Sequence, residues 1–211
     1  MGEHSVHARR LQHGGSRGRY GNPADLRAYL ARLEGASREA WQRPGLVVRA
    51  LGLRAGQTVA DIGGGPGYFS LRLARAVGPR GRVYAVEVEP RILEVLIRRL
   101  RRSPSRNVTP VLALPDDPLL PASSCDLVLL VNAYHHFSDG PAYLRRLLRA
   151  LKPRGRLVNI DFHKRDTPVG PPTRHRVSRE KFLSDARRAG LTPVGEQAFL
   201  PYQYFLILGP R

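Results

Sequence analysis

Residues 59–70, with the sequence VADIGGGPGYFS, constrain the fold of this chain more than any other segment. An apolar run that enters a glycine cluster predicts a buried strand, a turn and then a helix whose free N–H groups point at a bound ligand. Gly63, Gly65 and Gly67 remove side chains where the backbone has to adopt positive φ or lie against that ligand. The segment therefore predicts an α/β fold with a ligand site at the end of the first strand.

The glycine spacing narrows the range of ligands that the turn is expected to bind. The pattern is G-x-G-x-G, and Asp61 stands two positions before the first glycine. A dinucleotide-binding fingerprint, G-x-G-x-x-G, needs a third glycine where this chain has Tyr68. A nicotinamide-dependent dehydrogenase is thus disfavoured. A glycine turn that only connects a strand to a helix is the remaining alternative at this stage.

A second strand pattern lies about 20 residues further on, where such fold units carry an acidic residue. Residues 82–88 are mostly apolar and β-branched, and Glu87 stands at the predicted strand end. A carboxylate at that place can accept hydrogen bonds from both hydroxyls of a ribose. In isolation Glu87 would read as a solvated strand-end residue. Downstream of the glycine turn, it is the expected ribose ligand.

Four segments in order carry a family resemblance: the glycine turn, the Glu87 strand, residues 125–137 (CDLVLLVNAYHHF) and residues 151–161 (LKPRGRLVNID). With them the chain resembles the class I S-adenosylmethionine-dependent methyltransferases, in the small-molecule branch that includes ubiquinone-biosynthesis-like enzymes. The resemblance covers roughly residues 46–208. It implies S-adenosyl-L-methionine as cofactor and a small or medium-sized molecule as methyl acceptor.

The resemblance also implies a set of cofactor-binding residues. The acidic residue and the glycines of the turn would hold the amino-acid end of the cofactor, and Glu87 would bind the ribose. In relatives, an aspartate shortly before a Leu-Pro step bonds the adenine amino group. Leu120-Pro121 selects Asp116, and Asp117 remains open because this loop is short. The cofactor-binding residues expected from the resemblance are Asp61, Gly63, Gly65, Gly67, Glu87, Asp116, Asp117 and Asn132.

The segment after the fourth predicted strand provides the candidate catalytic residues Asn132, Tyr134 and His135. Imidazole titrates near neutrality, so His135 is a candidate general base for a hydroxyl or a carbon acid, whereas His136 is expected to pack or cap a helix. Enzymes that methylate nucleic-acid amines usually carry Asn/Asp-Pro-Pro-aromatic here, and this chain has neither proline. Asp161, His163 and a possible lid over residues 164–177 are further candidates. No cluster with ligand spacing predicts a metal site.

Alternating strand and helix patterns predict a Rossmann-like, doubly wound and mostly parallel sheet of seven strands, with one antiparallel strand near the C-terminus. Residues 1–22 read as a disordered or loosely attached leader, and residues 23–211 as one domain whose N-terminal helices (about 23–52) cover the site. Those helices are predicted from Asn22 to Glu34 and from Ser37, as N-cap, to Leu51, with a break at Pro44. The predicted strands are 58–62, 82–87, 108–112, 125–131, 155–161, 192–198 and 202–208, and the later helices are 67–77, 90–102, 139–151 and 178–189.

Charge is the one extreme of the composition. The formal net charge is +18, and all but three of the 35 Lys and Arg residues are arginine. Such a charge suggests a polyanion such as RNA, but an arginine-rich composition explains it equally, so a nucleic-acid partner is not favoured. No apolar run approaches the length of a membrane span, which predicts a cytoplasmic protein. Cys125, the only cysteine, is expected to pack in the core, and the oligomeric state is not indicated.

The sequence therefore predicts an S-adenosylmethionine-dependent methyltransferase that acts on a small or medium-sized acceptor. Two alternatives stay open. An RNA methyltransferase is favoured by the charge and disfavoured by the missing proline pair. A non-catalytic S-adenosylmethionine-binding regulatory module would have the cofactor site without a shaped acceptor pocket.

Overall fold

The computed structural model describes residues 25–35 and 37–211, and its centre is a seven-stranded sheet in the order β3-β2-β1-β4-β5-β7-β6. β7 runs antiparallel to β5 and β6, and every other pair is parallel. The predicted doubly wound fold with one antiparallel strand is confirmed. The strands are β1 (Thr58–Ile62), β2 (Arg82–Glu87), β3 (Val108–Leu112), β4 (Cys125–Val131), β5 (Leu151–Phe162), β6 (Leu191–Gln197) and β7 (Gln203–Pro210).

Helices cover both faces of the sheet. One buried cluster joins β4, β5 and β7 to α6 and α7 through side chains such as Leu147 and Phe182. A second joins β1, β4 and β5 to α3 and α4 through side chains such as Val47 and Leu73. Within the described residues the helices are α1 (Leu26–Glu34), α2 (Ser37–Gln42), α3 (Pro44–Ala50), α4 (Ser70–Val77), α5 (Pro90–Arg102), α6 (Gly140–Ala150) and α7 (Arg179–Arg188), with 3₁₀ turns at Tyr134–His136 and Thr173–His175.

The first four strands and α5 have the predicted bounds, whereas several later elements differ by a few residues. α4 begins at Ser70 rather than at residue 67, because Gly67 has φ +94° and cannot belong to a helix. β5 begins at Leu151, directly after α6, and its pairing with β4 is irregular between Cys125 and Leu127. The strand was predicted over 155–161, so β5 extends four residues further towards α6 than expected.

The N-terminal helices follow the prediction with one correction. Asp25 is the N-cap of α1 and accepts a hydrogen bond from the Ala28 N–H. The predicted break at Pro44 is confirmed: Arg43, with φ +46°, separates α2 from α3. Ser37 is the first residue of α2 rather than its cap. The predicted leader (1–22) and the predicted helix start at Asn22 lie outside the described residues.

The strand order reverses between β1 and β4, and the carboxyl ends of β1, β2, β4 and β5 meet on the same edge of the sheet. In open α/β sheets, ligands bind in the crevice at such a reversal. Most of the predicted site residues follow these strand ends. In the part of the chain that the structure describes, no helix is both long and apolar enough to cross a membrane.

Candidate functional site

The glycine turn after β1 has a backbone that other residues would not tolerate. Gly63, Gly65 and Gly67 have φ of +66°, +56° and +94°. A Cβ on Gly63 would lie 3.0 Å from the Ala133 Cβ, and a Cβ on Gly67 would lie 2.6 Å from Leu96 Cδ1. The turn therefore packs against the segment after β4 on one side and against α5 on the other.

Glu87 at the end of β2 is buried and faces the glycine turn. Its Oε2 accepts a hydrogen bond from the Gly65 N–H at 3.1 Å, and its Oε1 accepts from the N–H groups of Val88 and Glu89 at 2.8 and 3.0 Å. Burial raises the pKa of this carboxyl, and the three N–H donors oppose that shift. A carboxylate has about four acceptor positions, so a hydroxyl donor still has a place on Glu87.

Asp61, the last but one residue of β1, is buried beneath the turn. Its Oδ2 accepts a hydrogen bond from the Ser70 hydroxyl at 2.6 Å, which ties the strand to the start of α4. Burial raises the pKa of Asp61 to about 6, against the effect of the Ser70 bond and of the Arg38 charge. A buried carboxylate of this kind would be stabilised by a bound cation.

Arg38 on α2 is a site residue that the sequence did not reveal. It is 8% exposed, and its guanidinium lies 4.0 Å from the centre of the Tyr68 ring, beside the glycine turn. Its Nη1 donates to the Leu33 carbonyl at 2.7 Å, whereas its buried Nε finds no hydrogen-bond partner among the described residues. Burial lowers the pKa of Arg38. An unsatisfied cationic donor at this place suits an anionic ligand group.

A chain of side-chain amides connects α2 to the end of β4. Gln42 Nε2 donates to Gln203 Oε1 at 2.6 Å, and Gln203 Nε2 donates to Asn132 Oδ1 at 2.6 Å. Gln42 and Gln203 are buried, and Asn132 has φ +57°. Arg38 and Gln42 are four residues apart and therefore lie on the same face of α2. This polar pair was the only feature of the sequence that indicated a contact between α2 and the site.

His135 and Asp161 form a buried pair between the ends of β4 and β5. The distances from His135 Nδ1 to Asp161 Oδ2 and Oδ1 are 2.9 and 3.1 Å, and the two side chains are 3% and 0% exposed. Asp161 Oδ1 also accepts from the Phe162 N–H at 2.8 Å. An ionised carboxylate has no proton to give, so Nδ1 carries the hydrogen and donates it. In the tautomer with its hydrogen on Nδ1, the imidazole ring carries a lone pair on Nε2.

Tyr134 points its hydroxyl into the helical layer. This hydroxyl donates to Asp185 Oδ2 on α7 at 2.9 Å, and the ring packs edge-on against Phe182 at 4.7 Å between centroids. Burial, followed by the bond to Asp185, raises the pKa of Tyr134. The structure thus brings together Asp61, the glycines and Glu87, and places His135 and Asn132 at the neighbouring strand end, whereas the Tyr134 hydroxyl is engaged in the core.

The two aspartates after β3 differ in their surroundings. Asp117 lies in a turn in which it accepts from the Leu119 N–H at 2.9 Å, and its carboxylate pairs with Arg146 at 2.7 Å. Asp116 is exposed and lies 3.7 Å from the same guanidinium. Asp117 therefore acts as a turn-forming Asx residue in this loop.

Three aliphatic side chains beside Glu87 are unusually exposed. Val88, Leu112 and Leu114 follow the ends of β2 and β3 and are 43%, 47% and 44% exposed. Leu112 pairs with Glu87 in the sheet. Apolar side chains left open next to a buried carboxylate would be covered by a flat ligand ring.

The predicted lid has an internal support. Arg176 is buried and donates to the carbonyls of Pro171, His163 and Arg165 at 2.7, 3.1 and 2.7 Å. Its guanidinium lies 5.0 Å from the Phe162 ring centre. The Arg176 side chain therefore holds the loop together from within.

The His, Cys, Asp and Glu side chains of the described residues do not form a metal site. Among the residues that the structure describes, no three His, Cys, Asp or Glu side chains come together as metal ligands would. Cys125 is buried and free, as a packing residue is expected to be.

The comparisons with known proteins agree with this geometry. Residues 59–155 match the family model described as a methyltransferase domain. The ubiquinone/menaquinone biosynthesis C-methyltransferase UbiE of Pseudomonas putida is 32% identical over 133 residues, which are 63% of this chain and 51% of that protein. The chain thus spans about half the length of the curated relatives it matches.

Two solved structures extend the likeness to most of the fold. A S-adenosylmethionine-dependent methyltransferase from Aquifex aeolicus has a TM-score of 0.82 at 25% identity, over 86% of this chain and 96% of that chain. The [4+2]-cyclase SpnF has a TM-score of 0.64 at 23% identity, over 75% of this chain and 60% of that chain, and shows likeness of fold alone.

The residues around the turn fit the cofactor of this family, because Glu87 has room for a hydroxyl donor and the buried Nε of Arg38 has no hydrogen-bond partner among the described residues. Together, the sheet order, the glycine turn with Glu87, the matched domain and the Aquifex aeolicus structure support a class I S-adenosylmethionine-dependent methyltransferase of the ubiquinone-biosynthesis-like branch.

Proposed function

We propose that this chain transfers a methyl group from S-adenosylmethionine to a small or medium-sized acceptor at the ends of β4 and β5. When bound, the cofactor supplies a methyl carbon activated by its sulfonium. The His135–Asp161 pair supports this proposal most strongly. His135, whose ring provides a nitrogen with a lone pair, follows Ala133 by two residues. The glycine turn packs against Ala133.

The cofactor site in this proposal combines the predicted residues with Arg38. Gly63, Gly65 and Gly67 give the amino-acid end of the cofactor access to the backbone, and the buried Asp61 carboxylate attracts its ammonium group. The unsatisfied Nε of Arg38 supports a contact with its carboxylate.

Glu87 accepts the ribose hydroxyls, and the exposed side chains of Val88, Leu112 and Leu114 support an adenine ring beside it. Of the two aspartates, Asp116 is the better candidate for the adenine amino group, because Asp117 is engaged by its own turn and by Arg146.

His135 acts as general base in this proposal. Asp161 is a positioning residue, since it fixes the Nδ1–H tautomer and so directs the Nε2 lone pair to the acceptor. Alignment of the acceptor with the methyl carbon supplies much of the rate, and proton removal is needed only for a hydroxyl or a carbon acid. Asn132 and Tyr134 position the segment that carries His135 through Gln203 and Asp185.

We further propose that residues 23–211 work as one unit, with α1 and α2 as the roof of the crevice. Two contacts of α2 support this. Arg38 lies over Tyr68 beside the glycine turn, and the ring of Trp41 lies 5.4 Å from the ring of Phe162, the last residue of β5, measured between ring centres. A cytoplasmic location stays a prediction.

Labelled methyl transfer tests the proposal. The protein is incubated with methyl-labelled S-adenosylmethionine and a bacterial metabolite extract, and the products are separated by size. We expect label in one or a few small molecules. Label only on RNA or protein would favour the RNA or another macromolecular acceptor, and a protein that binds the cofactor but labels nothing in extracts of several bacteria would favour the regulatory module.

A further inference from the structure

The edge of the sheet opposite the glycine turn carries a basic surface, which we call the amino-edge face. It consists of the segments that lead into β1, β2 and β3 and of the first part of β5, which are residues 51–57, 78–82, 103–107 and 151–156. These segments are joined: the Arg82 N–H donates to the Gln57 carbonyl at 3.0 Å, and the Val83 N–H donates to the Asn107 carbonyl at 2.8 Å. They therefore form one continuous surface.

A cleft of ≈ 730 Å³ opens in this face between the start of β1 and the start of β5. Four basic side chains line it: Arg54, Lys152, Arg154 and Arg156. Arg54 and Arg154 are exposed, and neither has an ion-pair partner among the described residues. Their guanidinium groups are available to a ligand.

The other two basic side chains of the cleft are held in place. Lys152 pairs with Asp126 at 2.7 Å, and Arg156 Nη2 donates to the Leu51 carbonyl at 2.7 Å. The carbonyl bond orients Arg156 without neutralising it. The cleft therefore keeps a net positive charge after its internal pairs are counted.

Basic residues outnumber carboxylates on the amino-edge face. Beside the cleft, Arg80, Arg82 and Arg106 are exposed on the same face. In the four segments of this face and in the first two residues of β1 to β5, Asp126 is the only carboxylate. An arginine-rich composition alone would scatter basic residues over the whole surface. The preference for basic residues in the last turns of helices explains only the basic residues that lie on helices, and not those in the four segments of this face.

We propose that the amino-edge face binds the phosphodiester backbone of a nucleic acid, with the cleft at its centre. The planar fork of a guanidinium matches a phosphate with two hydrogen bonds, and the two exposed arginines offer two such forks. A concave cleft receives a backbone but excludes a flat bilayer. None of the strongly exposed large apolar side chains of the described residues (Leu46, Val88, Leu112, Leu114, Leu119 and Val194) lies in this face to anchor a membrane.

This binding is independent of methyl transfer, because the cleft lies at the starts of the strands and the glycine turn at their ends. The nucleic acid is therefore not the methyl acceptor at this site. Without aromatic side chains in the four segments, contact is limited to phosphates and carries no base preference.

The test measures binding of a labelled oligouridylate by fluorescence anisotropy between about 50 and about 200 mM salt, where phosphate contacts lose affinity steeply. We expect binding that persists at the upper salt concentration. Arg54→Gln/Arg154→Gln should weaken it at least about tenfold and reduce the slope of log affinity against log salt by about 1–2. The control Arg27→Gln/Arg174→Gln removes the same charge from exposed positions away from this face and should change affinity less than about twofold.

Equal losses in the two double variants would overturn the proposal, because they would reveal attraction by net charge alone. So would anionic phosphatidylglycerol vesicles that bind more tightly than the oligonucleotide and depend on Arg54 and Arg154. S-adenosylhomocysteine should leave the affinity for the oligonucleotide unchanged, and Arg54→Gln/Arg154→Gln should bind S-adenosylhomocysteine as the wild type does. Transfer of labelled methyl groups to the oligonucleotide would contradict the independence of the two sites.

Discussion

The two halves of the crevice are built in different ways. The half at β1 and β2 consists of neighbouring backbone: three glycines at positive φ, and a carboxylate, Glu87, that accepts three backbone N–H groups. The half at β4, β5 and β7 consists of side chains that meet across the fold. Gln42 and Gln203 are 161 residues apart, and His135 and Asp161 are 26 residues apart.

Under the proposed function, this difference separates the residues that bind the cofactor from those that select the acceptor. Backbone geometry in the first half leaves little freedom to vary, since a side chain on two of the glycines would meet Ala133 or Leu96. Side chains in the second half can be exchanged without moving the sheet. Variants should therefore remove cofactor binding in the first half and change turnover or acceptor affinity in the second.

The largest effect is expected for Gly65→Val. A branched side chain at φ +56° strains the backbone and occupies the space of the cofactor, so calorimetry should detect no S-adenosylmethionine binding. Gly52→Val is the matched control, because Gly52 has φ +58° with nothing within 4 Å of its Cβ position. The control should lose stability but keep cofactor affinity in the folded protein; equal loss of binding in both would show that strain alone is responsible.

His135→Ala should act on turnover. We expect kcat to fall by roughly 10²–10⁴, the range for a general base, while cofactor affinity stays within a few-fold of wild type. His136→Ala, a change of the neighbouring ring, should leave kcat within a few-fold. If His135→Ala lowers the melting temperature and leaves kcat of the folded fraction unchanged, His135 is structural and the acceptor needs no base at this position.

Asp61→Asn should show how much the ionised Asp61 carboxylate lowers the free energy of unfolding. Because burial raises the pKa of Asp61 to about 6 in the folded protein, from 3.8 for an ordinary aspartate, ionisation destabilises the fold increasingly as pH rises from about 4 to about 6. The asparagine variant lacks this loss. Without cofactor it should be more stable than wild type by up to about 3 kcal/mol above pH 6, with no gain near pH 4.

Urea unfolding at several pH values measures this difference, and S-adenosylmethionine binding should weaken in the same variant. If the free energies of unfolding of the two proteins changed with pH in the same way, ionisation of Asp61 would not destabilise the fold. A variant that gains stability and also keeps full cofactor affinity would remove Asp61 from the ligand site.

Gln203→Leu should have the smallest effect. It removes the hydrogen bonds of Gln42 Nε2 and Asn132 Oδ1, which costs about 1–3 kcal/mol of stability. We expect KM for the acceptor to rise several-fold and cofactor affinity to change little. Gln197→Leu, on the neighbouring strand, is the control. A loss of cofactor affinity with an unchanged KM would break the division between the two halves.

Sequence patterns predict the first half and the sheet well because their determinants are local. The bounds of β1 to β4 follow from apolar runs, and the turn follows from glycines within five residues. Arg38, Gln42 and Gln203 escaped prediction because their partners lie on distant elements. The role expected for Tyr134 rested on its place after β4, whereas its hydroxyl bonds Asp185, 51 residues away.

Calorimetric titration of the wild-type protein with S-adenosylmethionine, S-adenosylhomocysteine and NAD tests the central claim most directly. The glycine turn, Asp61 and Glu87 predict heat of binding for both S-adenosyl compounds and none for NAD. Binding of NAD with no heat from S-adenosylmethionine would contradict the account.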